Sequence, residues 1–207
     1  MLGFASLIVA LTVLATAVMA ASAAIQGSRQ GFDPFGAIVL SIVTSVGGGT
    51  LRDLLIGATP VFWLQDMTYL ATAVPVSLVT YFFASRLQKG DGNRLRLLLY
   101  LDAIGLALFT LVGAQAALAN DLSIVAAVVL GCITGVAGGM FRDVLCGLQP
   151  SILKRDLYAT VSLIGGALYV LGLNFLPETI SLIIAFIFMI TFRSIIVYRS
   201  KLSSEIL

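Results

Sequence analysis

Moved along itself by 90 residues, the chain repeats a motif: Gly48-Gly49-x-x-Arg52-Asp53-x-x-x-Gly57-x-x-Pro60 falls on Gly138-Gly139-x-x-Arg142-Asp143-x-x-x-Gly147-x-x-Pro150. Asp66 falls on Asp156 and Ala24 on Ala114 in the same register. Six identities of this kind in one register are hard to obtain by chance in an apolar chain, so the sequence is a duplication. What is duplicated follows from the flanking segments, which are long stretches almost free of charge. They predict seven helices at 3–28, 35–58, 67–86, 95–119, 122–148, 156–173 and 178–198. A membrane span with its turn uses roughly 25–30 residues, so seven of them fill the chain. Each repeat holds three spans, an odd number, and the second copy therefore enters the membrane from the opposite side. The expected organisation is a first three-helix repeat at 1–88, a second, inverted one at 89–175, and a seventh helix with a cytoplasmic tail at 176–207.

Composition agrees with an all-α integral membrane protein. Hydrophobic residues make up 59% and charged residues 11%, too few charges to clothe a soluble surface. The absence of His removes Ser-His and Cys-His nucleophile pairs and imidazole proton relays, so no enzyme, cofactor or resident metal is expected. Cys132 and Cys146 lie about 21 Å apart if helical, beyond disulfide reach. A net charge of +2 suggests no nucleic-acid partner. The small residues after Val18 resemble a signal-peptidase site, but no Lys or Arg precedes Arg29, and the segment is expected to stay as the first span.

Basic residues orient the chain. With the N-terminus outside, the inner loops and tail hold Arg29, Arg86, Lys89, Arg94, Arg96, Lys154, Arg155, Arg193, Arg199 and Lys201, ten of the twelve. The connector from Arg86 to Arg96 is the expected hinge between repeats. The remaining two, Arg52 and Arg142, sit with Asp53 and Asp143 at membrane depth, where each charge costs about 2.5–3.5 kcal/mol or more unless paired or wetted. Neighbours on a helix point about 100° apart, so the expected pairing is across repeats, Arg52 with Asp143 and Arg142 with Asp53. Gly47, Gly48 and Gly49 in the second span, and Ala137, Gly138 and Gly139 in the fifth, are expected to break their helices, because packing glycines more often stand four apart. Two symmetric breaks imply a hydrated path. Asp102, whose counterpart is Thr12, either lines the inner mouth or pairs with an inner-loop arginine. The seventh span shows no polar stripe and is expected to be a lipid-facing buttress.

Gly47 to Gly57 with Pro60-Val61-Phe62-Trp63, Asp102-Ala103-Ile104-Gly105, Val112-Gly113-Ala114-Gln115 and Gly138 to Leu145 together resemble the prokaryotic branch of the trimeric intracellular cation (TRIC) channel family. The resemblance spans the first six helices. It implies a homotrimer in a prokaryotic inner membrane with a pore inside each protomer, lined by the broken second and fifth helices. K⁺ is the implied ion. Carried over to this chain, Gly47, Gly48, Gly49, Gly138 and Gly139 mark the breaks, and Arg52, Asp53, Arg142 and Asp143 lie at the pathway. The residues alone leave the ion open, since Arg and helix N-termini favour anions while carboxylates and freed carbonyls favour cations. The inverted repeat equally suits a secondary transporter of a small solute, because alternating access uses the same symmetry, and the resemblance extends to bacterial relatives for which glycine is the implied solute.

Overall fold

The structure is a computed structural model and describes residues 3–86, 92–153 and 157–204. Among the described residues, eight α-helices follow one another: α1 (Phe4–Gln30), α2 (Pro34–Ile56), α3 (Phe62–Gln65), α4 (Thr68–Arg86), α5 (Gly92–Ala119), α6 (Ile124–Leu145), α7 (Tyr158–Gly172) and α8 (Glu178–Ser204), with a 3-10 turn at Ser151–Leu153 before α7. All seven expected spans are present, as α1, α2, α4, α5, α6, α7 and α8. Six are long and apolar enough to cross a membrane. The exception is α7, whose fifteen residues rise only about 22 Å. The additional short helix α3 occupies the apolar stretch after the second span. Most of the expected hinge, the 88/89 repeat boundary, Lys89, Lys154, Arg155 and Asp156 lie outside the described residues; α5 already begins at Gly92, so the connector is shorter than the charge pattern suggested.

The duplication is visible in the local chemistry. Asp33 caps α2 by accepting the Gly36 amide, and Ser123, its counterpart 90 residues on, caps α6 by accepting the Ala126 amide. Both choices satisfy amide donors that a helix start leaves without partners. At the other end, Gly57 and Gly147 both adopt positive φ, +80° and +67°, and the next amides, of Ala58 and Leu148, return to the carbonyls of Asp53 and Asp143. The repeated glycine is thus a left-handed helix terminator, where a Cβ would be strained. Asp66 accepts the Thr68 amide at 2.9 Å at the start of α4, and hydrogen bonds from the Thr68 side chain and backbone hold its carboxyl below the ordinary range.

The central element is α5, which packs against α1, α6, α7 and α8. Its Ala107, Leu111, Ala114 and Ala117 join Ala127 and Leu130 of α6, Val161 and Tyr169 of α7, and Ala185 and Met189 of α8 in the main apolar core. Small residues let these helices approach closely. The expected lipid-facing buttress α8 also has a buried face: Ser181, Ala185, Met189, Arg193 and Val197 are all buried, and their spacing of four places them on one side of the helix. That face seats against α7, where Met189 fills the space beside Gly165.

Candidate functional site

The two motif helices cross in backbone contact. A Cβ added to Gly48 would stand 2.2 Å from the Thr134 carbonyl oxygen, and one added to Gly138 would stand 2.3 Å from the Thr44 carbonyl oxygen. Thr44 and Thr134 are themselves 90 residues apart, so the crossing is built twice over by the same two residue types. Each threonine hydroxyl donates back to its own helix, to Leu40 O and Leu130 O, both at 2.6 Å. The α-helical backbone runs unbroken through both glycine sets, from Pro34 to Ile56 and from Ile124 to Leu145. This corrects the expected breaks. Adjacent glycines here remove side chains so that two helices can touch, and the helix hydrogen bonds survive because tertiary contact outweighs the intrinsic cost of glycine, about 1 kcal/mol each.

The three glycines of α2 have separate duties. Gly47 faces the Phe141 ring of α6, Gly48 faces the α6 backbone, and Gly49 faces the Phe62 ring of α3. Gly139 faces a polar wall instead, with Asp102 Oδ1 and Tyr158 Oη each 3.2 Å from an added Cβ and Arg142 Nη2 at 3.7 Å.

Each arginine pairs inside its own repeat. Arg52 donates from Nε and Nη2 to Asp53 Oδ1 at 2.8 and 2.6 Å, and Arg142 donates from the same two nitrogens to Asp143 Oδ1 at 3.0 and 2.9 Å. The expected cross-repeat pairing is therefore wrong. The 100° argument governs Cβ directions, whereas a guanidinium on three methylenes folds back across that angle. Both pairs are buried, with Arg52 and Arg142 only 6% and 1% exposed, so neither arginine reaches out to the membrane surface.

The second oxygen of each motif aspartate holds the chain that follows. Asp53 Oδ2 accepts the Phe62 amide at 2.8 Å, and Asp143 Oδ2 accepts the Ser151 amide and hydroxyl at 3.1 and 3.3 Å. Thus each Asp ties the short helical turn after its motif to the end of its helix. Trp63 Nε1 adds a second tie by donating to Thr50 Oγ1 at 2.9 Å.

The two ends differ beyond this shared plan. Arg142 Nη1 also donates to Asp102 Oδ1 of α5 at 2.7 Å and to Ser22 Oγ of α1 at 2.6 Å. Asp102 is 1% exposed and pairs with a motif arginine. Ser22 was missed: its partner is 120 residues away, and the only signal was a polar residue in an alanine-rich span. At the Arg52 end, positions 12 and 112 supply Thr and Val in place of Asp102 and Ser22, and the guanidinium lies 5.4 Å from the Phe62 ring centroid instead. Arg193, assigned above only to topology, is buried with its guanidinium 4.7 Å over the Tyr158 ring; Arg94 is buried as well.

A lateral groove of about 370 Å³ opens beside the crossing, lined by Val46, Gly47, Thr50, Leu51, Trp63 and Phe141 among others. Among the described residues, no group of three or more Asp, Glu or Cys has a metal-holding arrangement, and both cysteines are free.

Comparisons with known proteins bear on this arrangement. The family model described as "Glycine transporter" matches residues 9–85 and again 99–174, two segments that begin 90 residues apart. The UPF0126 inner membrane protein YadS of Escherichia coli is 41% identical over 162 residues, which cover 77% of this chain and 75% of that protein. A UPF0126 membrane protein of Vibrio cholerae is 40% identical over 170 residues, covering 81% and 69% respectively. Among solved structures, the TRIC trimeric intracellular cation channel orthologue of Rhodobacter sphaeroides superposes with a TM-score of 0.88 at 36% identity, over 93% of this chain and 98% of that one. With a family model matched twice in register, relatives of this identity and the same helical fold, the chain belongs to the family of the glycine-transporter model, and its relatives include UPF0126 membrane proteins and a prokaryotic TRIC channel orthologue.

Proposed function

We propose that the protein is a passive cation channel, selective for K⁺, with its path inside each protomer along the α2/α6 crossing. The observation that carries this reading is the pair of buried Arg–Asp ion pairs, one near the C-terminal end of each motif helix. Because α2 and α6 run in opposite senses across the membrane, the pairs lie toward opposite faces. Around the crossing, Asp53, Asp102 and Asp143 are the carboxylates an ion meets once the motif arginines swing aside, and carboxylates favour a cation over an anion. In the closed form each arginine occupies its aspartate, and conduction requires the guanidinium to swing aside so that the carboxylate meets the ion. The similarity to channels described as TRIC cation channels supports the same reading.

The proposed setting is a homotrimer in the cytoplasmic membrane, in contact with lipid, N-terminus outside. Arg29, Arg86, Arg96 and Arg199 then lie on the inner side, as the positive-inside rule requires.

The test is K⁺ efflux from liposomes down an imposed gradient. Native protein is expected to release K⁺, and Asp53→Asn and Asp143→Asn to slow release by about tenfold, since each removes the carboxylate field at one end. A second reading, transport of glycine through the same inverted repeat, draws on the family description. It predicts saturable glycine counterflow with no K⁺ release from native protein.

A further inference from the structure

We infer that Phe62 is the constriction at the α2 end of the path and sets the largest cation that passes, an inference resting on the channel reading above. Gly49 and Gly139 are equivalent positions, one helical turn before the arginine of their motifs, yet different groups fill the space beside them. Beside Gly139 stand polar atoms of Asp102, Tyr158 and Arg142 at 3.2–3.7 Å from an added Cβ. Beside Gly49 stand three carbons of the Phe62 ring at 2.5, 3.0 and 3.2 Å. One end of the crossing is therefore polar, and the other is stopped by an aromatic ring.

The ring is held from every side. Its own amide is tied to Asp53 Oδ2, and Arg52 lies 5.4 Å from its centroid, a distance at which a cation is attracted to the ring. Tyr69 of α4 meets it edge-on with centroids 4.7 Å apart, and the neighbouring Trp63 is tied to Thr50. Through Phe62, one four-residue helix touches both members of the Arg52–Asp53 pair, so a swing of Arg52 off Asp53 removes the cation contact to the ring while the ties to Asp53 and Tyr69 remain. The counterpart of Phe62 is Ile152, which packs with Leu106, Val136 and Tyr158 and places no ring beside Gly139. Among the described residues the aromatic group beside Gly139 is Tyr158, which presents its hydroxyl and not a carbon edge, so the apolar constriction is assigned to Phe62 of α3.

The experiment compares K⁺, methylammonium and tetramethylammonium flux in liposomes for native protein, Phe62→Ala, Phe62→Leu, Phe62→Trp and Ile152→Ala, each checked for native elution in detergent. Phe62→Ala is expected to raise tetramethylammonium flux relative to K⁺ by about tenfold, because pore width sets which cations pass. Phe62→Leu and Ile152→Ala are expected to keep the native cut-off, and Phe62→Trp to lower K⁺ flux by about threefold through its larger ring. Native K⁺ flux with an unchanged size cut-off in Phe62→Ala and unchanged flux in Phe62→Trp overturns the assignment of Phe62 alone. Absence of K⁺ flux from native protein overturns the channel reading and this inference with it.

Discussion

Gly48→Ala is expected to abolish the native assembly, and Gly138→Ala to do the same, while Gly47→Ala and Gly139→Ala are expected to be tolerated. The ranking follows from what each new methyl meets. At Gly48 and Gly138 it meets a backbone carbonyl at 2.2 and 2.3 Å. Neither helix can yield there without losing its own hydrogen bonds, so α2 and α6 must separate along their length. Overpacking a well-filled core costs about 1–3 kcal/mol, and more where the backbone itself is struck. At Gly47 the obstacle is the Phe141 ring at 2.6 Å, a side chain that can rotate into the adjoining lateral groove. The second repeat already carries Ala137 at the equivalent place, buried without disrupting α6. At Gly139 the nearest atoms are 3.2 Å away, a gap a side chain closes with small adjustments. Thermal stability and elution of the detergent-solubilised protein measure all four. Equal tolerance at Gly47 and Gly48 would show that the crossing is not a backbone contact.

Arg142→Met is the second large effect, and it is expected to exceed Arg52→Met. Removing one partner of a buried ion pair costs about 3–5 kcal/mol, because the charge left behind has no compensation. Loss of Arg142 leaves two carboxylates on two helices without their cation, Asp102 of α5 and Asp143 of α6, although Asp143 still accepts from Ser151, and it removes the Ser22 contact of α1. Loss of Arg52 strands only Asp53, whose other oxygen still accepts the Phe62 amide. Asp102→Asn in the Arg142→Met background is expected to restore part of the lost stability by removing one stranded charge. The apparent unfolding temperatures of the four proteins give the comparison. If Arg52→Met proves the more damaging, the asymmetry between the two ends is misassigned.

Much of this architecture was legible in the sequence because membrane spans and duplications leave long, simple signals. Charge-free runs located the seven spans to within a few residues at most ends, and the 90-residue register located the motif. The capping pair Asp33 and Ser123 lies in that register too. What the sequence concealed were matters of side-chain reach and of what a missing side chain is for. Gly47 to Gly49 advertises backbone freedom, but whether that freedom is used to leave the helix or to admit a neighbour depends on the opposing surface. Here the opposing surface is the Thr134 carbonyl. The Arg–Asp pairing was misjudged because helical angles describe where side chains start, not where a flexible one ends. The Asp102–Arg142–Ser22 set joins three helices at separations of 40 and 120 residues, and its asymmetry hid it from an argument built on repeats. The stripe Ser181, Ala185, Met189, Arg193 and Val197 was open to inspection at a spacing of four; the surrounding phenylalanines obscured it.

The proposed path along α2 and α6 is tested most directly by single-channel recording of the purified protein in a planar bilayer bathed in KCl. Native protein is expected to give stepwise currents that reverse at the K⁺ equilibrium potential, with a smaller unit current in Asp53→Asn and in Asp143→Asn. Saturable solute uptake without current steps, or steps whose size is indifferent to both substitutions, would contradict conduction along these helices.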